Sequence, residues 1–478
     1  MTPGELSRIE DTLRRAYGDV LESVRRDGSS PELMPGFQPG RPGRRFGRPG
    51  RAGSSRRLVP VAAAAAVAVI ALVAGLIVPG ALRPAAPAVQ LHMGFVATYG
   101  AVIPVDLATG VALPPITFPA QGGTTAAALA PGGRAIYVAT QQGYLIPVST
   151  VTGKAGRPIR IGGPGPSQIV VSPDGLTAYV IELSRGVVVV NLARKQSAGF
   201  IKIRDAWSLA LTPDCRTLYV LDNVPCCTGA TVTPIDTATL KLLPPVHTPA
   251  DLATSYIAVA PDGKTVYVPG EVAHGYKVVN SKIEWPRGSF ITSVLTPIST
   301  ATNTALTPVQ LGRGEGLAGP ISFSPDGSVA YLGGDQVTAV NLDTGTVSWT
   351  ARPPVSGYAP LASPGGRTVY SVGASLGRLS GTPIYRIRAA TGTIQGAVIP
   401  EVHGSSLFTE PQNNGDTPAG LSPDGTTLYA QTLLLHNGPH RNAHAPYSSR
   451  LEAVDTATGR VNWMIHLRHG GDLLLGAS

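Results

Sequence analysis

The sequence predicts an all-β fold, a β-propeller of eight blades with four antiparallel strands each, and three observations carry that expectation. A phrase close to Ser-Pro-Asp-Gly-x-x-x-Tyr-Val occurs seven times, beginning at Ala130, Ser172, Thr212, Ala260, Ser324, Ser363 and Ser422. A second phrase occurs eight times in alternation with the first: an alternating apolar strand, a polar residue, then Thr-Gly or a relative, as in Val102-Ile103-Pro104-Val105-Asp106 with Thr109-Gly110. Only 14% of the chain is charged while it holds 57 Gly and 44 Pro, the balance of a turn-rich all-β protein. Four-stranded units recurring about every 40 residues are the signature of propeller blades.

Within each unit, strand a precedes the Pro-Asp-Gly turn, strand b carries the Tyr, strand c ends at the Asp or Asn, and strand d follows Thr-Gly. Pro presets φ at the first corner, Asp bonds back to the backbone, and the turn residue takes a positive φ. Those turn residues are Gly133, Gly175, Cys215, Gly263, Gly327, Gly366 and Gly425, followed by Tyr137, Tyr179, Tyr219, Tyr267, Tyr331, Tyr370 and Tyr429. The mismatch of seven phrases against eight is informative. Phe95-Val96-Ala97-Thr98 reads as a strand b with no strand a before it, and Gly471-Asp472-Leu473-Leu474-Leu475-Gly476 as a strand a with nothing after it. Joining them closes the ring without an exposed edge and gives eight blades; seven is the alternative, with the Phe95 unit outside the ring.

Ahead of the propeller, assigned to 95–478, the sequence predicts four segments. Residues 1–28 read as a cytoplasmic amphipathic helix, with Leu6, Ile9, Leu13, Tyr17, Val20, Leu21 and Val24 on one stripe and a capping box at Thr2 to Glu5. Residues 29–57 are a disordered linker rich in Arg, Gly and Pro. Residues 58–82 form an uncharged apolar run, long enough as a helix to span a hydrocarbon core of about 30 Å, and 83–94 are a second linker. Arg41, Arg44, Arg45, Arg48, Arg51, Arg56 and Arg57 precede the run, so the N-terminus is expected in the cytoplasm and the propeller outside the membrane. Ala86-Pro87-Ala88 resembles a signal-peptidase site, but the long leader and long apolar run favour an uncleaved, single-pass anchor.

The net charge of +9 does not mark a nucleic-acid binder. Residues 1–57 hold 12 Lys/Arg against 7 Asp/Glu, and the excess over the rest of the chain is thinly spread. The linker arginines are expected on anionic headgroups at roughly 1 kcal/mol each.

The ab and cd turns share one face of a propeller, and here all are short. The long connections, 222–230, 270–291, 373–382 and 433–449 between b and c and 400–417 between d and a, belong to the other face. Long loops on a rigid scaffold are where binding concentrates, so candidate ligand-binding residues are sought there: Cys226, Cys227, Trp285, His403, His436, His440 and His444. Cys215 lies in an ab turn, roughly 17 Å away along strand b, whereas a disulfide spans at most about 7 Å between Cα atoms. Cys226 and Cys227 are therefore read as a vicinal disulfide or two free thiols. The histidine series suits Zn or Cu, but Gly438-Pro439 interrupts it and solvated loop histidines are the competing reading; no metal is assigned. No nucleophile elbow, zincin helix or phosphate loop occurs.

The repeated phrases over 95–476 resemble the bacterial YVTN β-propeller repeats, near relatives of WD-repeat and quinoprotein propellers. That resemblance implies an extracytoplasmic platform that binds a protein or small molecule through its loop-rich face, without a cofactor. Two unit endings, at Trp349 and Trp463, are similar to the tryptophan-docking repeat of PQQ-dependent dehydrogenases, some of which hold a vicinal disulfide beside the quinone. This implies an alternative, a propeller enzyme using PQQ with Ca, or a lactonase-like hydrolase; only two of eight units carry the Trp, and Thr228-Gly229 follow the cysteine pair where other residues are usual. A second alternative is a sensor that signals to the N-terminal helix.

Overall fold

The computed structural model describes residues 93–478 except 120–122, 164, 183–184, 223–229, 251, 254–255, 276, 280–281, 285, 315–318, 355–356, 374–383, 400–404, 407–418, 435–447, 468–470 and 476–478. The predicted segments 1–28, 29–57 and 58–82 lie outside the described residues. Among those described, no helix is long and apolar enough to cross a membrane.

Residues Ala85–Ser478 form one compact unit, built among the described residues from eight four-stranded antiparallel blades and one small extra hairpin. Blade 1 is the unit whose strand a comes from the C-terminus. Gly471–Leu475 pairs antiparallel with Met93–Thr98, placing Leu474 opposite Phe95 and Leu473 opposite Val96. The predicted closing strand is thus the strand that joins the two ends, and the blade count is eight rather than seven.

Blades 2 to 8 then run in chain order, each with its Tyr as the third residue of strand b. Phe95 holds that place in blade 1: it lies opposite Pro104, as Tyr137 lies opposite Pro147 and Tyr219 opposite Pro234. Apolar side chains on the two faces of each blade meet those of its neighbours in eight separate clusters, one per gap around the ring. The gap between blades 8 and 1, which closes the circle, holds Tyr429, Leu451 and Leu467 against Val96, Val105 and Leu473. The core is therefore distributed between blades, as expected when a single blade cannot bury its own faces.

Two predicted connections contain more strand than expected. In blade 5, strand b runs through Thr265–His274 and strand c through Phe290–Ser299, and the span between them holds a hairpin of Lys277–Val279 with Lys282–Glu284. In blade 8, strands Thr427–Leu434 and Ser448–Asp455 are longer than their counterparts, and Ser405–Ser406 adds to their end. Val, Ile, Phe and Thr in these extensions suit a pleated surface, and the pairing carries the ladder past the blade rim.

Candidate functional site

The face made by the ab and cd turns is closed on itself. All seven ab turn residues have φ between +62° and +73° and donate a backbone hydrogen bond to the residue three positions earlier, as Gly175 N–H does to Ser172 at 2.7 Å. Asp174 Oδ1 accepts from the Ser172 hydroxyl at 2.5 Å and from Leu176 N–H at 2.9 Å. The same set recurs at Asp214, Asp326 and Asp424, whose carboxyls are held below the usual range chiefly by the neighbouring hydroxyl. The adjacent cd turns are fastened alike, with Asp455 Oδ1 accepting from Thr458 N–H at 2.7 Å. Tyr219, on strand b of blade 4, reaches across a blade gap to the cd turn of blade 5, its hydroxyl donating to Asn303 Oδ1 at 2.6 Å.

Trp349 and Trp463 also dock between blades. Trp349 Nε1 donates to Ala389 O at 2.7 Å, and its ring lies between Tyr331 of its own blade and Gly392 in the cd turn of the next. Trp463 repeats this with Leu107 O at 3.1 Å, Tyr429 and Gly110. Both tryptophans therefore act as interblade braces.

On the opposite face the bonding is incomplete. Strand a of blades 2, 3 and 4 carries a β-bulge near its start, between Thr124 and Ala126, Pro166 and Gln168, and Ala206 and Ser208. The extra residues are Thr125, Ser167 and Trp207. They occupy equivalent positions, three residues before the residue that faces the repeat tyrosine. These strands a lie side by side around the ring, and Gln168 clamps two of them by accepting from Leu209 N–H at 2.6 Å and donating to Leu209 O at 3.2 Å. Bulges re-aim side chains, and they are frequent where a sheet meets a binding site.

Thr125 Oγ1, Ser167 Oγ and Trp207 Nε1 are shielded from solvent and have no hydrogen-bond partner among the described residues. So is Asp222 Oδ1, on the last residue of blade 4 strand b, opposite Ala206. Each such atom costs about 1–3 kcal/mol unless something fills its valence. Asp222 has its carboxyl pushed up to about 6, mainly by burial, against the opposing pull of backbone N–H groups and His247; Asp205 adds to the rise. Glu182, its counterpart in blade 3, is already engaged, accepting from Gly163 N–H and from Arg185 Nη1 at 2.6 Å.

The seven sequence-predicted site residues, Cys226, Cys227, Trp285, His403, His436, His440 and His444, lie outside the described residues. Cys215 is described: it is a free thiol at φ +62° in an ab turn, on the closed face. Sequence reasoning missed Thr125, Ser167, Trp207 and Asp222. No signal in the sequence set them apart, since polar Thr124, Gln168 and Ser208 stand beside the bulge residues in the same strands. Among the described residues, no three His, Cys, Asp or Glu converge as metal ligands.

Comparison with known proteins agrees with this architecture. Residues 292–472, from strand c of blade 5 to the closing strand, match the family described as PQQ_2, outer membrane protein assembly factor BamB. Both docked tryptophans fall within that span. Among solved structures, the chain is similar to the dihydro-heme d1 dehydrogenase NirN in complex with DHE, at 14% identity and a TM-score of 0.55, covering 83% of this chain and 78% of that one. It also matches the hydrazine synthase of Kuenenia stuttgartiensis at 18% identity and a TM-score of 0.46, covering 73% of this chain and 96% of that one. No curated protein matches in sequence. At 14% identity the likeness to NirN is one of fold alone.

Proposed function

We propose that this chain is a membrane-anchored, extracytoplasmic β-propeller that binds a ligand or partner protein through its bc/da face. The observation that carries the reading is the asymmetry of the ring. Every ab turn on one face is short and closed by its own backbone hydrogen bond, while the opposite face carries the long connections and the inner-strand bulges of blades 2, 3 and 4. The anchor is the apolar run Leu58–Leu82, with the arginine-rich linker on anionic headgroups at the cytoplasmic side.

A second reading, a propeller enzyme, has one specific observation in its favour: a desolvated carboxyl, Asp222, shifted toward neutral pH beside unpaired hydrogen-bonding groups. Purifying the chain from its membrane and testing it by elemental analysis and visible absorbance separates the two. The binding reading expects neither metal nor chromophore at stoichiometric level. A stoichiometric quinone or calcium would overturn it in favour of the enzyme.

A further inference from the structure

Blades 1 to 3 have short bc connections, so the side chains at this end stand on paired strands and not on long loops. A continuous band of aromatic and basic side chains crosses all three blades. In blade 1, Tyr99 is 64% exposed and its ring lies against Gly123, where an added Cβ would stand 3.2 Å from it. Gly123 O accepts from Gln141 N–H, in the bc turn of blade 2, at 2.8 Å. Tyr144 begins the following strand opposite Arg160, whose Nη1 donates to the Tyr144 hydroxyl at 3.3 Å and whose guanidinium lies 5.7 Å from the ring centre. Gly163 then meets blade 3: its N–H donates to Glu182, and an added Cβ would stand 2.8 Å from Arg185 Nη1. Arg185 is 59% exposed, bonds Glu182 at 2.6 Å, and lies 5.8 Å from the ring centre of Phe200, itself 46% exposed. Lys202 and Arg204 follow Phe200, both exposed.

Resting on the reading above that the bc/da face binds, we infer that this band docks an acidic segment of a partner protein, with Arg160, Arg185 and Arg204 on its carboxylates and Tyr99 and Phe200 against its apolar side chains. Charge selects the occupant. The band holds Arg160, Arg185, Lys202 and Arg204 against Glu182 and Asp205. Of the two acids, Glu182 is buried and already engaged by Gly163 and Arg185. Among the described residues, Arg160, Lys202 and Arg204 form no ion pair. Arg160 and Arg185 each lie near an aromatic ring and use Nη1 for their side-chain hydrogen bonds, which leaves other donors of each fork for a carboxylate. Such a pair forms two parallel bonds, which fixes orientation as well as adding energy. Exposed Tyr, Phe and Arg are also the residue types enriched in protein interfaces. Four cations spread over three blades lack the clustering that marks a nucleic-acid surface.

The test adds a glutamate–tyrosine copolymer, polylysine or heparin to the purified full-length chain in detergent and follows hydrogen exchange peptide by peptide, so that binding at the basic linker is read apart from binding at the propeller. The copolymer is expected to slow exchange at 98–101, 140–144, 185–188 and 200–205, less so as ionic strength rises, and polylysine to leave it unchanged. Arg160→Glu with Arg204→Glu should raise the copolymer concentration needed for half-protection about tenfold. Arg160→Lys with Arg185→Lys, which keep the charge and lose the fork, should raise it about threefold. Arg194→Glu, in a cd turn on the opposite face, should leave it unchanged, with the unfolding midpoint of each variant close to that of the parent. Protection that survives the first pair, or that falls equally with Arg194→Glu, would overturn the band. Protection by heparin but not by the copolymer would overturn the partner class while leaving the bc/da face a binding face. Protection by none of the probes would overturn the docking surface, whereas the underlying binding reading falls only if the same preparation carries stoichiometric quinone or calcium.

Discussion

Cys215 stands where the other six ab turns place Gly, yet adopts the same left-handed φ of +62°. That conformation costs a residue with a Cβ about 1–2 kcal/mol, of which glycine's greater freedom in the unfolded chain returns about 0.4–1 kcal/mol. Cys215→Gly should therefore stabilise the propeller by about 0.5–1 kcal/mol in urea unfolding; an unchanged or lower midpoint would mean the turn does not carry that strain. Gly392 is constrained differently, since an added Cβ would stand 2.6 Å from Trp349 Cε3 at φ +70°. Gly459 has φ +72° but meets only Val398 O, at 3.1 Å. Gly392→Ala should cost about 2–3 kcal/mol and Gly459→Ala about 1–2 kcal/mol; equal losses would remove the tryptophan brace as the reason. Asp222 sets a pH dependence. Its carboxyl is raised to about 6 in the fold from 3.8, so its contribution to stability is fully present below about pH 4 and is lost as pH rises through about 6. Asp222→Asn should then gain stability relative to the parent at pH 8 and none at pH 3.5, as thermal unfolding at the two pH values would read.

The strand Gly471–Leu475 is the element on which closure depends. Leu473 and Leu474 are both buried, worth roughly 1.5–3 kcal/mol each, and the strand covers the free edge of Met93–Thr98. Ending the chain after Gly470 should therefore remove on the order of 5 kcal/mol, a large share of the roughly 5–15 kcal/mol typical of a folded protein. It should also promote association through the exposed edge; light scattering and urea unfolding would show both, and a truncated chain as stable as the parent would sink the closure. This element was legible in the sequence because its two halves were each incomplete: a strand b without a partner at Phe95 and a strand a without a successor at Leu475. The ab turns were legible for a local reason, since Pro, Asp and Gly each impose one feature of the backbone. The bulges at Thr125, Ser167 and Trp207 were not, because a bulge is fixed by the pairing register of two strands and leaves no composition of its own. The strand extensions of blade 5 were hidden by their position in a long bc connection, where His274 stacks on Phe290 and Arg313 covers that ring at 3.9 Å, contacts made only once the strands have paired.

At the scale of the ring, the repeat tyrosines couple stability to alkaline pH. Tyr137, Tyr179, Tyr219, Tyr267, Tyr331, Tyr370 and Tyr429 are all buried between blades, one in each gap except that between blades 1 and 2, where Phe95 takes the place. Burial raises the hydroxyl of each above 10.0, to about 12 for Tyr179 and Tyr219. Because the folded values exceed the unfolded one, the stability these groups contribute is complete below pH 10 and is lost as pH rises toward 12. Seven such groups, in seven of the eight gaps, act in the same direction, so unfolding should become steeply pH-dependent in that window around most of the ring. A phenolate absorbance titration should show part of the 15 tyrosines ionising near pH 10 and the remainder only together with loss of structure. Tyr219→Phe gives up the bond to Asn303, at about 1 kcal/mol near neutral pH, and should flatten the alkaline decline because one group no longer ionises on unfolding. If all tyrosines titrate near pH 10 with the fold intact, the gaps admit solvent and the tyrosines do not seal the ring.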